Sequence, residues 1–93
     1  MDVVKTSIDE FTTGSGTADA TPKPIVAAGY ATQAYKGVTV RATAGALYVG
    51  SRGVTAENGF PLEAGSGEEL FIPVNDPGKV YVVGNGSYSW VAI

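Results

Sequence analysis

ALYVGSRGVTAENGFPLEAGSGEELFIPVNDPGKVYVVG, residues 46–84, breaks short apolar runs with Gly, Pro and an Asn-Gly pair. Runs this short, rich in Val, Ile, Leu, Phe and Tyr and bounded by turn residues, read as β-strands that present loops. Leu47 and Val49 alternate with Tyr48, and Leu70, Ile72 and Val74 alternate with Phe71, the period of a strand with one buried face. Pro73 puts the second run at a sheet edge or a bulge. Asn75-Asp76-Pro77-Gly78 reads as a turn, with Pro at its first central position and Gly at the positive-φ position that follows. Residues 79–84, KVYVVG, return as a strand.

Working outward, residues 36–43, KGVTVRAT, set Val38, Val40 and Ala42 against Thr39, Arg41 and Thr43. Ala44-Gly45 then leads into residues 46–50, which predicts a hairpin between the two runs. At the C-terminal end Tyr88, Trp90 and Ala92 alternate with Ser89, Val91 and Ile93, so the chain ends inside a sheet. Residues 25–35, IVAAGYATQAY, read as strand and loop, because Gly29 and the neighbouring aromatic residues outweigh the helix tolerance of the alanines. Residues 51–67 form the longest stretch in this half without alternation. Phe60 and Leu62 flank Pro61 there, and they either plug the open end of the sheet or meet a partner. Roughly six to eight short strands without a helix predict an all-β fold, a small antiparallel β-sandwich or barrel.

The first 24 residues have a different composition. Val4, Thr6 and Ile8 alternate as in one short strand, but FTTGSGTADATPKP offers few groups to fill a core, and Gly14, Gly16, Pro22 and Pro24 interrupt any regular element. The reading is an extended N-terminal arm or linker over residues 1–24, ahead of a β-sandwich domain over residues 25–93. In an isolated monomer such an arm frays; in an assembly it can lie along a neighbour and add a strand to its sheet. A domain of 93 residues is also small enough for oligomerisation to matter to its stability.

The chain has no Cys and no His, which removes disulfides, Cys-based zinc sites and the side chain that most often serves as general base near neutral pH. A formal charge of −3 argues against binding driven by phosphate neutralisation, and leaves Lys36, Arg41 and Arg52 as a possible local patch or a solvated face. No apolar run reaches the length of a signal peptide core or a membrane span. Asp9 with Glu10, and Glu68 with Glu69, are adjacent and would point to opposite faces of a strand. Gly50, Gly53, Gly84 and Gly86 sit among strands and turns rather than at a strand-to-helix junction, so they read as turn glycines and not as a phosphate cradle. No catalytic, metal-binding or cofactor-binding residue is assigned. Tyr30, Tyr35, Tyr48, Tyr81, Tyr88 and Trp90 carry enough aromatic surface for sugar stacking or for a core.

The run from residue 47 to 84 resembles small proteins encoded among the virion genes of tailed bacteriophages. Their VYVG-like strand, GVT-to-G-x-P-L loop, P-V turn and K-V-Y-V-x-G strand correspond here to residues 47–50, 53–62, 73–77 and 79–84. The resemblance implies a virion structural protein, most like a head decoration (cement) protein that binds the outside of the capsid shell, made in the host bacterial cytoplasm. It implies the major capsid protein as partner, a homo-oligomer with a trimer favoured, and no direct contact with nucleic acid or membrane. On this reading Val3, Val4, Ile8 and Phe11 in the arm, and Arg52, Phe60 and Leu62 in the long loop, are the contact residues. The alternatives are a carbohydrate- or receptor-binding module of a head fibre or tail, and a neck or tail connector subunit.

Overall fold

A computed structural model of the chain describes residues 12–26 and 36–93, with Thr12 described by its backbone alone. Among the described residues two antiparallel four-stranded sheets face each other, as the alternating sequence requires. Sheet 1 holds β1 (Thr12–Thr17), β8 (Ser87–Ala92), β3 (Val38–Ala44) and β6 (Leu70–Ile72), in the order β1-β8-β3-β6. Sheet 2 holds β2 (Lys23–Pro24), β7 (Tyr81–Gly84), β4 (Ala46–Gly50) and β5 (Phe60–Glu63), in the order β2-β7-β4-β5. The fold is all-β, as expected.

Period-two burial builds the core between the sheets. Val38, Val40 and Ala42 of β3, Leu47 and Val49 of β4, Val82 of β7, and Tyr88, Trp90 and Ala92 of β8 all turn inward. Leu62, Val80, Ala18, Ile25 and Val26 complete the buried cluster, with Leu70, Ile72 and Val74 packed against it from the edge. The chain ends within the sheet, the Ile93 N–H donating to the Gly37 carbonyl at 3.0 Å.

The hairpin expected at residues 44–45 does not form, because β3 and β4 belong to different sheets. A single residue, Gly45, separates them, fewer than the two that a tight hairpin loop needs, so the chain bends across the sandwich as an arch. Gly45 sits at φ 65°, where a side chain is disfavoured. A second arch, β7 to β8 through Asn85-Gly86, nests against it backbone to backbone. A Cβ on Gly86 would lie 2.6 Å from the Ala44 carbonyl oxygen. These nested arches, rather than a hairpin, hold the two central strands of each sheet in register: β3 with β8 and β4 with β7.

Residues 12–24, assigned by composition to the arm or linker, are paired into both sheets. β1 runs beside β8 over its whole length, with Gly14 opposite Trp90 and Gly16 opposite Tyr88. The glycines leave room for these rings: a Cβ on Gly14 would lie 2.7 Å from the Trp90 indole, and one on Gly16 would lie 2.6 Å from the Tyr88 hydroxyl oxygen. Aromatic side chains laid over glycine backbone restore the packing that a strand glycine lacks. The chain then crosses to sheet 2, tied by the Ala18 N–H to the Gly86 carbonyl at 2.8 Å and by the Gly84 N–H to the Asp19 carbonyl at 2.9 Å. The strand read at residues 3–8 and most of the strand-and-loop reading at 25–35 fall outside the described residues.

The turn at residues 75–78 is present in another form. Pro77–Lys79 make one 3₁₀ turn, and Gly78 is not among the residues at positive φ. The Asp76 carboxylate accepts from the Gly78 N–H at 2.8 Å, which stabilises the turn without the left-handed glycine.

Candidate functional site

Loop 51–59 folds back over the outer face of sheet 2 and walls a groove there. Gly59 donates its N–H to the Thr55 carbonyl at 2.9 Å, and Val54 donates to the Ser51 carbonyl at 3.1 Å. Thr55 and Asn58 bond reciprocally: the Thr55 N–H donates to Asn58 Oδ1 at 2.7 Å, and the Asn58 N–H donates to Thr55 Oγ1 at 3.3 Å. This closed loop drives Val54, 3% exposed, between Gly50, Gly59 and Tyr48. The Asn-Gly pair visible in the sequence is therefore the element that shapes the loop.

Tyr48 and Ala46 point outward from β4, since Leu47 and Val49 point inward, and Val83 lies opposite Tyr48 in the register. The outer face thus offers a groove of about 590 Å³, floored by Ala46, Tyr48, Val83 and Gly84. Ala20 and Pro22 wall one side, Val54 to Ala56 the other, and Asn85 stands at the rim. Among the described residues no Asp, Glu, Lys or Arg lines it. A smaller depression of about 180 Å³ on the far side of Tyr48 is bounded by Pro61, Leu62, Glu63 and Glu68. Ala46 and Tyr48 line both.

A second feature is the flank formed by β5 and β6. These strands end the two sheet orders on the same side, because β5 adjoins β4, β6 adjoins β3, and β3 and β4 are joined by one residue. Phe60 is 49% exposed and Phe71 50% exposed, and Pro61 and Pro73 beside them are exposed as well. Phe71 projects from the outer face of sheet 1, its ring lying against Gly37. Phe60 shares the inward-facing register of Leu62 but sits at the start of the edge strand, where the core no longer covers it.

The expected contact residues separate accordingly. Phe60 and Arg52 are exposed, whereas Leu62 is 1% exposed and belongs to the core, so it has no surface to give a partner. Val3, Val4, Ile8 and Phe11 lie outside the described residues. Phe71, which the sequence reading left as the solvent side of an edge strand, joins Phe60; its position opposite Leu70 and Ile72 was the available signal. Arg41 projects from sheet 1 and Arg52 sits in the loop that follows β4 of sheet 2, so the cations do not gather on one sheet. Tyr88 and Trp90 are core residues, which leaves the sugar-stacking reading with Tyr48 and Tyr81 among the described residues; Tyr30 and Tyr35 lie outside them.

The electrostatics are sparse. Lys23 Nζ pairs with Asp19 Oδ2 at 2.8 Å on the surface, and this contact, with the Thr21 N–H, holds the Asp19 carboxyl below its ordinary range. Burial raises the Tyr88 phenol above its ordinary value, with the Lys23 charge pulling the other way. Among the described residues no group of three or more Asp, Glu, His or Cys comes together as metal ligands. Comparison of the chain with known protein families, with curated proteins and with solved structures finds no match in any of them.

Proposed function

We propose that this chain is a capsid decoration protein, which binds the outer surface of a tailed-phage head and stabilises the shell. The observation that supports the reading is the β5–β6 flank, where Phe60 and Phe71 stand half exposed beside Pro61 and Pro73. Each ring stands about half in water at an edge strand and offers an apolar contact on a small rigid sandwich. Burying the exposed half of each ring on a partner is worth about 1 kcal/mol, so the pair supplies roughly thirtyfold in affinity per copy. Repeated around an oligomer, preferably a trimer, such contacts add through multivalency. Binding to the assembled lattice alone would stabilise it by mass action. Arg52, exposed on loop 51–59, and the upstream arm are the further contacts this reading assigns.

Quantitative mass spectrometry of gradient-purified virions of the phage that encodes this chain tests the proposal. A copy number near that of the major capsid protein is the expected result. A few copies per particle would move the chain to a neck, tail or fibre position, and absence from the particle would overturn the virion assignment.

One observation favours a second reading, binding of a glycan. Tyr48 lies part exposed on the floor of an uncharged groove, with Thr55 and Asn85 as polar neighbours, an arrangement suited to a neutral sugar ring stacked on the phenol. A glycan array that gives signal with the native chain and none with Tyr48→Ala would support it; a blank array with the native chain would remove it.

A further inference from the structure

We propose that Asn58 is a site of spontaneous deamidation, in which its side-chain amide closes on the Gly59 backbone nitrogen, and that Thr55 holds the reaction in check. The chain carries two Asn-Gly pairs, Asn58-Gly59 and Asn85-Gly86, and both asparagines are exposed. A glycine after an asparagine has no side chain to obstruct the approach of its nitrogen to the amide carbon. What then sets the rate is how firmly each pair is held. At Asn85-Gly86 the restraint is long-range: the Asn85 N–H donates to the Ala46 carbonyl at 3.3 Å, and the Gly86 carbonyl accepts from the Ala18 N–H at 2.8 Å. Gly86 lies so close to the neighbouring arch that a Cβ on it would stand 2.6 Å from the Ala44 carbonyl oxygen and 2.8 Å from the Ala46 nitrogen. Cyclisation there has to part the nested arches, which means opening the sandwich. At Asn58-Gly59 the restraint is local, and three bonds run to Thr55. The Thr55 N–H donates to Asn58 Oδ1 at 2.7 Å, the Asn58 N–H donates to Thr55 Oγ1 at 3.3 Å, and the Gly59 N–H donates to the Thr55 carbonyl at 2.9 Å. The first two make a capping box in which Asn58 takes the place of the usual Glu or Gln. Gly59 also rests on Val54 of the same loop and on the Tyr48 side chain. Bonds this short in sequence, at exposed residues, open without parting the sheets.

Once the Thr55 bonds open, the Gly59 nitrogen attacks Cγ of Asn58. The N–Cγ bond forms as the nitrogen gives up its proton, the Cγ–Nδ2 bond breaks, and Nδ2 leaves with a proton as ammonia. Water is the only co-reactant: it opens the succinimide ring at either carbonyl, giving aspartate or, with the main chain rerouted through Cγ, isoaspartate. Both products place a carboxylate in the loop that walls the uncharged groove. Isoaspartate also lengthens the backbone by one carbon beside Gly59, against which Val54 is seated, so it alters the groove wall at Val54 to Ala56. The inference concerns the purified chain and does not rest on the capsid reading.

The test incubates the native chain in mildly alkaline buffer, folded and, in parallel, unfolded in guanidinium chloride. Peptide mapping by mass spectrometry follows each asparagine, and enzymatic methylation counts isoaspartate. In the folded chain Asn58 is expected to convert more slowly than in the unfolded chain and well ahead of Asn85. Thr55→Ala, which removes the Oγ1 bond, should speed conversion of folded Asn58 roughly fivefold, the factor that matches loss of a capping bond of about 1 kcal/mol. Thr55→Ser keeps a hydroxyl and should restore the native rate. Asn85 in the same digest reports whether a variant stays folded, and the comparison of folded with unfolded native chain stands without any variant. Asn85 overtaking Asn58 in the folded chain, Asn58 converting as fast folded as unfolded, or a Thr55→Ala rate equal to the native one would overturn the proposal.

Discussion

The two flanks of the sandwich present opposite kinds of surface. At the β5–β6 flank Pro61 and Pro73 hinder backbone pairing, and what is exposed is aromatic side chain, Phe60 and Phe71. At the β1 flank the outward side chains are Thr13, Ser15 and Thr17, short polar groups with no aromatic ring among them. The reason lies one layer inward. Sheet 1 spends its large residues Trp90 and Tyr88 on covering Gly14 and Gly16, so the edge strand contributes peptide groups to the core rather than side chains. At the other flank the edge strand supplies its own core residue, Leu62, and its remaining ring spills outward. Short polar side chains at one flank and exposed aromatic rings at the other therefore give the sandwich two unlike surfaces, of which the second is the one suited to side-chain packing.

Breaking the β1 side should have the largest effect. Trp90→Ala removes the ring that fills the space over Gly14 and is expected to cost about 3–5 kcal/mol in urea denaturation. Gly14→Val drives a branched side chain into the same ring and is expected to cost about 1–3 kcal/mol, despite the better strand propensity of valine. Combined, the two should cost less than their sum, because the valine occupies space the indole has left. Strict additivity in that cycle would show that the ring and the glycine do not share one packing site.

At the opposite flank the test is a contrast within one strand. Leu62→Ala should destabilise by about 2–5 kcal/mol, as for other fully buried leucines. Phe60→Ser, two residues earlier on the same strand, should cost under about 1 kcal/mol, since half its ring is already in water. If the chain decorates phage heads as proposed, the same Phe60→Ser combined with Phe71→Ser should lower binding to purified heads roughly thirtyfold, read by co-sedimentation. Equal stability losses at the two positions would mean that Phe60 is a core residue and that the flank has no aromatic surface to spare.

The parts legible in the sequence were those where alternation alone decides. Val38, Val40 and Ala42, and Tyr88, Trp90 and Ala92, announce one buried face each and have it. What alternation does not carry is which strand lies beside which. Gly45 read as a hairpin turn because its neighbours are both strands, but a one-residue connection permits only the crossing between sheets. Gly14 and Gly16 read as linker because a glycine-rich strand has no side chains of its own to count. The signal was present only as a match between two distant segments, Gly-x-Gly and Tyr-x-Trp, both with the period of a strand. The groove was illegible for a related reason: Val54 has no periodic partner in its loop, and its burial comes from the room left by Gly50 and Gly59. Leu62 was placed on a candidate surface because it shares the segment of Phe60, and only the edge position of the strand divides the two.

The smallest expected effect sharpens the account of the β1 flank at high pH. Tyr88 lies over Gly16 in the sandwich interior, and burial raises its phenol above the ordinary value of 10.0, against the opposing pull of Lys23. A raised folded-state value means that the unfolded chain loses this proton first. The stability held by the neutral phenol is therefore intact below pH 10 and declines as pH rises from there through the folded value. Lys23, raised by its contact with Asp19, loses its own contribution over the same alkaline range, so the Tyr88 effect is isolated by working in a Lys23→Gln background. In that background Tyr88→Phe should leave stability at neutral pH nearly unchanged and make the midpoint of urea unfolding fall less steeply between pH 10 and 11. Identical alkaline slopes with and without the phenol would place the Tyr88 hydroxyl in water. Gly16 would then be making room for a ring that lies at the rim of the sandwich, and of the two ring-over-glycine contacts only that of Trp90 with Gly14 would belong to the core.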